Sequence, residues 1–98
     1  MPKVLTAEEA KPLLASFDVI LDVRTQKEWD EGHLPFPSVR HVESLHQHPE
    51  KVAELEDLKD KKCLVHCGAG KRAAMAGELL SHFTDLTVVG TGGYSHLA

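Results

Sequence analysis

Short apolar runs alternate with longer amphipathic stretches along this chain. The runs cover residues 4–5, 19–23, 39–42, 63–66 and 86–89, of which the third is apolar only at Val39 and Val42. Strands that are covered by helices on both sides show such runs, because neither face of the strand meets water. The alternation therefore predicts an α/β fold with a mainly parallel central sheet of about four to five strands, flanked by helices.

Two capping boxes mark the starts of helices between the runs. The boxes are formed by Thr6 with Glu9 and by Thr25 with Glu28. In this motif each side chain binds a backbone N–H of the other residue and so satisfies the open end of a helix. The first helix is predicted to run toward Ser16, although Pro12 would either kink it or begin a later helix. The second is predicted to end near Gly32.

Two more helices follow from apolar spacing. Residues 49–58 carry apolar side chains at positions 52, 55 and 58, which predicts a surface helix. Residues 73–83 predict a helix that buries one face. That face consists of Ala73, Ala76, Leu79, Leu80 and Phe83. Pro35 and Pro37 predict a loop before the third run.

Composition limits the classes of function. The 98 residues are 42% hydrophobic, which is enough for one modest core, so residues 1–98 are interpreted as one domain. The net charge of −4 argues against nucleic acids and anionic membranes as the main partners. No apolar run approaches the ~20 residues of a membrane span, and the N-terminus lacks a signal-peptide pattern. A cytoplasmic location is therefore expected.

Cys67 stands where the fourth apolar run turns into a predicted helix. The turn and the start of that helix consist of Gly68, Ala69, Gly70, Lys71 and Arg72. Inward-pointing N–H groups of a tight loop, the helix N-terminus and the two cations would all stabilise a thiolate. The thiolate is the nucleophilic form of cysteine, so the pattern predicts a reactive Cys67. An inert buried thiol is disfavoured, since a helix start is a poor place for cations unless they face an anion.

The two cysteines do not predict a disulfide, and the clustered histidines do not predict a metal site. Cys63 and Cys67 would lie about 13 Å apart on one strand, whereas a disulfide needs Cα atoms within about 7 Å. His41, His46 and His48 lack a Cys pair or a carboxylate pattern that would complete a metal site. They are interpreted as solvated loop residues.

The order of motifs is similar to that of a single rhodanese-like domain over nearly the whole chain. The motifs are Asp22-Val23-Arg24, Glu28-Trp29, Gly32-His33-Leu34-Pro35, Cys67 followed by Gly70 and Arg72, and Gly92-Gly93. The resemblance implies a three-layer fold. Phe36-Pro37 and Leu97 depart from the family pattern outside the cysteine loop, and they bear on local packing and the partner surface.

The resemblance implies a sulfurtransferase that needs no cofactor or metal. Cys67 would take sulfane sulfur from a small anionic donor such as thiosulfate, and a thiol or cyanide would remove it from the resulting persulfide. A sulfur-relay protein is a further candidate partner. Arg72 would act with Cys67 in catalysis, while Gly68, Ala69, Gly70 and Lys71 would bind the anion through N–H groups and charge.

Four further residues are expected to have structural roles near the site: Asp22, Arg24, Glu28 and His33. An Asp at a strand end and an Arg near a Glu would tie the loop beside the site, because unpaired buried charges are costly. His33 is expected to pack or to form a hydrogen bond. His66 would point away from Cys67 on the strand and hold the loop by a hydrogen bond.

Three rival functions use the same cysteine. The residues around Cys67 resemble the phosphate loop of cysteine phosphatases, but there the Arg follows the Cys by six positions, and here by five. A phosphatase also needs an Asp general acid, for which Asp30 and Asp85 are weak candidates. Arsenate reduction meets a similar objection. A persulfide carrier or regulatory module loaded by a partner protein would share the whole loop, and it remains the main alternative.

Overall fold

The computed structural model describes residues 2–98. Five strands form one sheet in the order β1-β5-β4-β2-β3, and every pairing is parallel. The strands are β1 Lys3–Thr6, β2 Val19–Asp22, β3 Val39–His41, β4 Lys62–His66 and β5 Asp85–Thr91. The α/β fold with a parallel sheet is thus confirmed, and each strand lies on one of the predicted apolar runs.

Within residues 2–98, three α-helices and three 3₁₀ segments connect the strands, and a fourth α-helix follows β5. The helices are α1 Ala7–Ala10, α2 Gln26–Glu31, α3 Lys71–Leu79 and α4 Tyr94–Leu97. The 3₁₀ segments are Lys11–Ser16, Leu45–Gln47 and Pro49–Leu58. Both predicted capping boxes are present, at the N-termini of α1 and α2. None of the helices within residues 2–98 has the length and apolar character needed to cross a membrane.

Three predicted helices differ from the observed ones in type or extent. The first is α-helical only to Ala10 and continues as a 3₁₀ segment, since Pro12 has no N–H for the helical ladder. Residues Pro49–Leu58 form a 3₁₀ segment, and their apolar spacing of three matches three residues per turn. Helix α3 begins two residues before Ala73 and ends at Leu79, so the buried Phe83 lies beyond it.

Helices cover both faces of the sheet and give two cores. Because side chains alternate along a strand, neighbouring residues of β4 enter different cores. Val65 lies in the core under α3 and Leu64 in the core under α1 and α4. The result is a three-layer arrangement, as the resemblance implied.

The carboxyl ends of the parallel strands collect at one edge of the sheet. Asp22 ends β2 and His66 ends the central strand β4, and these two residues are register neighbours. Cys67 follows immediately and leads into α3. Ligands of open parallel sheets bind beyond this edge, so the fold places Cys67 at the edge that a substrate would approach, with the residue itself 1% exposed.

The central strand gives a test of the core. Leu64 is 0% exposed, whereas Leu13 is 45% exposed. Leu64→Ala should lower the free energy of unfolding by about 2–5 kcal/mol through lost burial and a cavity, while Leu13→Ala should change it by about 0.5 kcal/mol or less. Urea unfolding followed by circular dichroism measures both. Equal losses in the two variants would contradict this placement of β4.

Candidate active site

The Cys67 sulfur sits inside a loop whose backbone points toward it. Cys67 Sγ accepts hydrogen bonds from the N–H of Gly70 at 3.0 Å and from the N–H of Ala73 at 3.4 Å. Gly70 has φ of +108°, a conformation that side chains disfavour and that turns its N–H inward. The sequence placed the donors within residues 68–72, whereas the structure adds Ala73 from the first turn of α3.

Close backbone packing from β5 and the chain after it supports this loop. A Cβ atom at Gly70 would overlap the carbonyl of Gly90, and one at Gly93 would overlap the carbonyl oxygens of Cys67 and Gly68. The N–H of Tyr94 donates to the Cys67 carbonyl at 3.0 Å. The contact between Gly93 and the cysteine loop was missed by sequence reasoning, because it depends on which strand lies beside β4. The Gly92-Gly93 motif was its one local signal.

Arg72 reaches back over the loop to Glu28. Its Nη1 donates to Glu28 Oε1 at 2.6 Å and its Nη2 to Oε2 at 3.0 Å, a bidentate ion pair. The Arg72 hydrogen bonds are the main reason that the pKa of Glu28 falls to about 2. Glu28 in turn raises the pKa of Arg72, and Cys67 adds to that increase. Arg72 is therefore a permanent cation that is bound to the carboxylate, and its guanidinium lies over Gly68, the residue after Cys67.

A second ion pair lies buried beneath the site. Arg24 Nη2 donates to Asp22 Oδ2 at 2.8 Å, and the two side chains are 4% and 0% exposed. Arg24 also donates to the carbonyl of Gly32 at 2.7 Å and lies 4.3 Å from the centre of the Tyr94 ring. The sequence led us to expect an Arg to pair with a nearby Glu. In the structure Arg24 pairs with Asp22 instead, and Glu28 pairs with Arg72, because the fold brings the start of α3 next to α2.

His66 is fully buried, and neither of its ring nitrogens has a hydrogen-bond partner among residues 2–98. Its Nε2 lies 3.8 Å from Asp22 Oδ2. The predicted side-chain hydrogen bond from His66 to the loop is thus wrong, although its backbone carbonyl accepts from Val23 N at 3.2 Å. Burial lowers the pKa of His66, which keeps the ring neutral beside the Arg24 charge.

His33 and His41 both stack on the Trp29 ring. The ring centroids lie 3.7 Å and 4.6 Å from that of Trp29, with nearly parallel planes. His33 Nδ1 is 3.0 Å from the Trp29 carbonyl, so His33 packs and bonds as expected. His41 is not a solvated loop residue, since it belongs to β3 and its Nε2 lies 2.9 Å from the Arg24 carbonyl. The stack ties α2 to β3.

Two further predicted residues belong to the cysteine loop. Lys71 and Ala69 are exposed, and among residues 2–98 Lys71 has no ion-pair partner.

His46 is only partly exposed, with a buried Nδ1. Burial and the charge of Arg72 lower the pKa of His46. The exposed His48 pairs with a glutamate instead. Within residues 2–98 no three His, Cys, Asp or Glu side chains form a group that could hold a metal ion.

Cys63 is also a free thiol, and its environment is unlike that of Cys67. Its Sγ donates to the Leu58 carbonyl at 3.4 Å, and burial raises its pKa to about 11. This thiol stays protonated at neutral pH, as expected of a small buried apolar residue.

The sheet and the cysteine loop define an α/β protein with a thiol at the carboxyl edge of a parallel sheet, hydrogen-bonded by two backbone N–H groups. A model of the rhodanese-like domain family matches residues 6–97. The chain therefore belongs to the rhodanese-like family, as the motifs predicted. Membership supports sulfurtransferase or related enzyme activity at the level of the family.

Similar proteins agree with this assignment. A tRNA uridine(34) hydroxylase of Cytophaga hutchinsonii is 36% identical over 62 residues, which are 63% of this chain and 20% of that protein. The chain thus spans about a fifth of the length of this relative. The solution structure of protein hp1203 from Helicobacter pylori is 29% identical with a TM-score of 0.74, covering 96% of this chain and 80% of that one. The human single-domain sulfurtransferase TSTD1 shares the fold at 23% identity and a TM-score of 0.60, covering 93% and 91%.

The two thiols should differ in reactivity. In the native protein, iodoacetamide should modify Cys67 well before Cys63, because the Gly70 N–H points at the Cys67 sulfur, whereas burial raises the pKa of Cys63 to about 11 and keeps it protonated. Timed labelling followed by peptide mapping measures this order. Cys67→Ser should remove the fast label, and labelling of both thiols at the same rate would contradict the prediction.

The backbone support can be tested with a pair of glycine variants. Gly93→Ala should slow Cys67 alkylation by about tenfold, since its Cβ would displace the loop that directs the N–H groups. Gly90→Ala is the control, because its Cβ would meet only Val4, which is 64% exposed and can move. Equal alkylation rates in the two variants would argue against this support.

Proposed function

We propose that the protein is a sulfurtransferase that carries sulfane sulfur as a persulfide on Cys67. The observation that carries the proposal is the environment of the Cys67 sulfur, which accepts hydrogen bonds from two backbone N–H groups and lies one residue from the backbone that the Arg72 guanidinium covers. Such fixed donors stabilise an anion on sulfur without reorganising during the reaction.

The reaction consists of two displacements. The Cys67 thiolate attacks the outer sulfur of thiosulfate, the sulfur–sulfur bond of the donor breaks, and sulfite leaves with the bonding electron pair. The product is an anionic persulfide. Cyanide or a thiolate then attacks the terminal sulfur and the thiolate of Cys67 leaves, so the enzyme returns to its starting state.

The loop suits this chemistry because the anion that reacts at each step would lie close to fixed N–H donors. The attacking thiolate would carry its charge on Sγ, which accepts hydrogen bonds from the Gly70 and Ala73 amides, and the persulfide would carry its charge one sulfur–sulfur bond further out. Exposed Lys71 at the start of α3 would attract an anionic donor from solution. No proton transfer is needed in either step, which fits a neutral His66 that has no hydrogen-bond partner among residues 2–98.

The phosphatase interpretation has less support. It needs a general acid near the leaving group, within hydrogen-bond reach. Asp85 begins β5 and so lies at the opposite edge of the sheet from Cys67. Asp30 is exposed on α2 and accepts a hydrogen bond from Gln26 at 2.9 Å. Neither weak candidate gains support from its position.

The test combines intact mass with a colour assay for thiocyanate. Reduced protein treated with thiosulfate should gain the mass of one sulfur atom on Cys67, and cyanide should release that atom as thiocyanate. Cys67→Ser should lose both signals, whereas Cys63→Ser should keep them, because the Cys63 sulfur lies outside the cysteine loop and donates to the Leu58 carbonyl. Ping-pong kinetics should accompany turnover.

Other outcomes would redirect the assignment. An unchanged mass with thiosulfate, together with loading from a protein persulfide, would favour the persulfide carrier. Release of phosphate from an aryl phosphate offered in parallel would favour the phosphatase. Equal loss of signal in Cys67→Ser and Cys63→Ser would remove the assignment of the nucleophile.

A further inference from the structure

Arg72 occupies a position that a helix alone would not favour for a cation. It is the second residue of α3, where the positive end of the helix dipole repels positive charge. A long guanidinium side chain at such a place would gain both solvation and rotamer freedom by turning into solvent. The bidentate contact with Glu28, 44 residues away in sequence, counters that tendency.

Glu28 is itself held in place by its own helix. It is the third residue of α2, and its Oε1 accepts from the N–H of Thr25 at 3.2 Å and from Thr25 Oγ1 at 3.0 Å. The other end of α2 is fixed by the bond from Arg24 to the Gly32 carbonyl. The carboxylate is therefore part of a helix that is anchored at both ends.

The ion pair lies directly over the backbone beside the reactive sulfur. A Cβ atom at Gly68 would be 2.9 Å from Arg72 Nη2 and 3.5 Å from Glu28 Oε2. Gly68 follows Cys67, so the guanidinium is held one residue from the nucleophile. His46 is the other nearby group whose ionisation responds to the Arg72 charge.

We propose that Glu28 is a positioning residue for sulfur transfer, which holds the Arg72 guanidinium against the Cys67 loop. Helix α2 then decides where positive charge meets the sulfur, although no residue of α2 takes part in the covalent steps. The role in transfer rests on the proposed function, whereas the effect on the Cys67 thiol does not.

A double-mutant cycle tests the proposal. The variants are Glu28→Gln, Arg72→Ala and the two combined, with Glu31→Gln as the control. Gln at position 28 keeps an oxygen for Thr25 and so preserves the cap of α2, while it loses one bond to Arg72. Glu31→Gln makes the same change of charge on the same helix, at an exposed residue that has no ion pair among residues 2–98.

The first measurement is the rate of Cys67 alkylation as a function of pH. Glu28→Gln should shift this profile to higher pH and slow alkylation at neutral pH by about tenfold. The effect should disappear in the Arg72→Ala background, because Glu28 acts through Arg72. Glu31→Gln should leave the profile unchanged, and urea unfolding confirms that each variant is folded.

The second measurement is of kcat and KM with thiosulfate. Glu28→Gln should lower kcat/KM by about tenfold when Arg72 is present. It should leave kcat/KM unchanged when Arg72 has been replaced by Ala. Equal effects of Glu28→Gln with and without Arg72 would overturn the proposal, and so would no effect. Faster alkylation would also overturn it, since the carboxylate would then weaken the Arg72 charge instead of placing it. If the wild type transfers no sulfur, the proposed function fails while the alkylation cycle still decides the role of Glu28.

Discussion

The candidate site depends on backbone segments that pack against one another with no side chain between them. Gly70 lies against the Gly90 carbonyl, and Gly93 lies against the carbonyls of Cys67 and Gly68. This close approach fixes the direction of the Gly70 N–H, which points at the sulfur. A backbone dipole held in this way needs no rotamer change when charge forms on the sulfur, which is why it can stabilise an anion at little cost.

The charges around the loop complement these amides. Glu28 holds the Arg72 guanidinium over Gly68, beside the sulfur, and Lys71 adds an exposed cation at the start of α3. A guanidinium that is held by two hydrogen bonds has a fixed position, as the loop amides have. It therefore needs no rotamer change when charge forms on the sulfur.

The sequence predicts the strands of the sheet and the cysteine loop well, because both depend on residues that are close together in the chain. Apolar runs mark the strands, and the glycines after Cys67 mark a tight turn before a helix. The errors concern contacts between segments that are distant in the chain. Glu28 pairs with Arg72 and not with Arg24, and Gly93 supports the loop. Such contacts follow from the strand order, which the local spacing of Asp22 and Arg24 does not reveal.

The local pattern also did not decide between an α-helix and a 3₁₀ helix for residues Pro49–Leu58. An apolar side chain at every third position fits an α-helix loosely and a 3₁₀ segment closely, and residues Pro49–Leu58 adopt the latter. The interpretation of His41 as solvated failed for a related reason. Its ring is covered by Trp29, which reaches it from α2 across the sheet edge.

The buried ion pair links the stability of the fold to the shape of the loop. Asp22 and Arg24 lose their hydration, a cost that is offset only because the carboxylate accepts from both the side chain and the backbone N–H of Arg24. The guanidinium is covered by the ring of Tyr94, whose own N–H binds the Cys67 carbonyl. An apolar pair in place of Asp22 and Arg24 would avoid the desolvation cost. It would also remove the cation under Tyr94 and the bond that anchors α2 at Gly32, so the charged pair contributes contacts beside the cysteine loop that an apolar pair could not make.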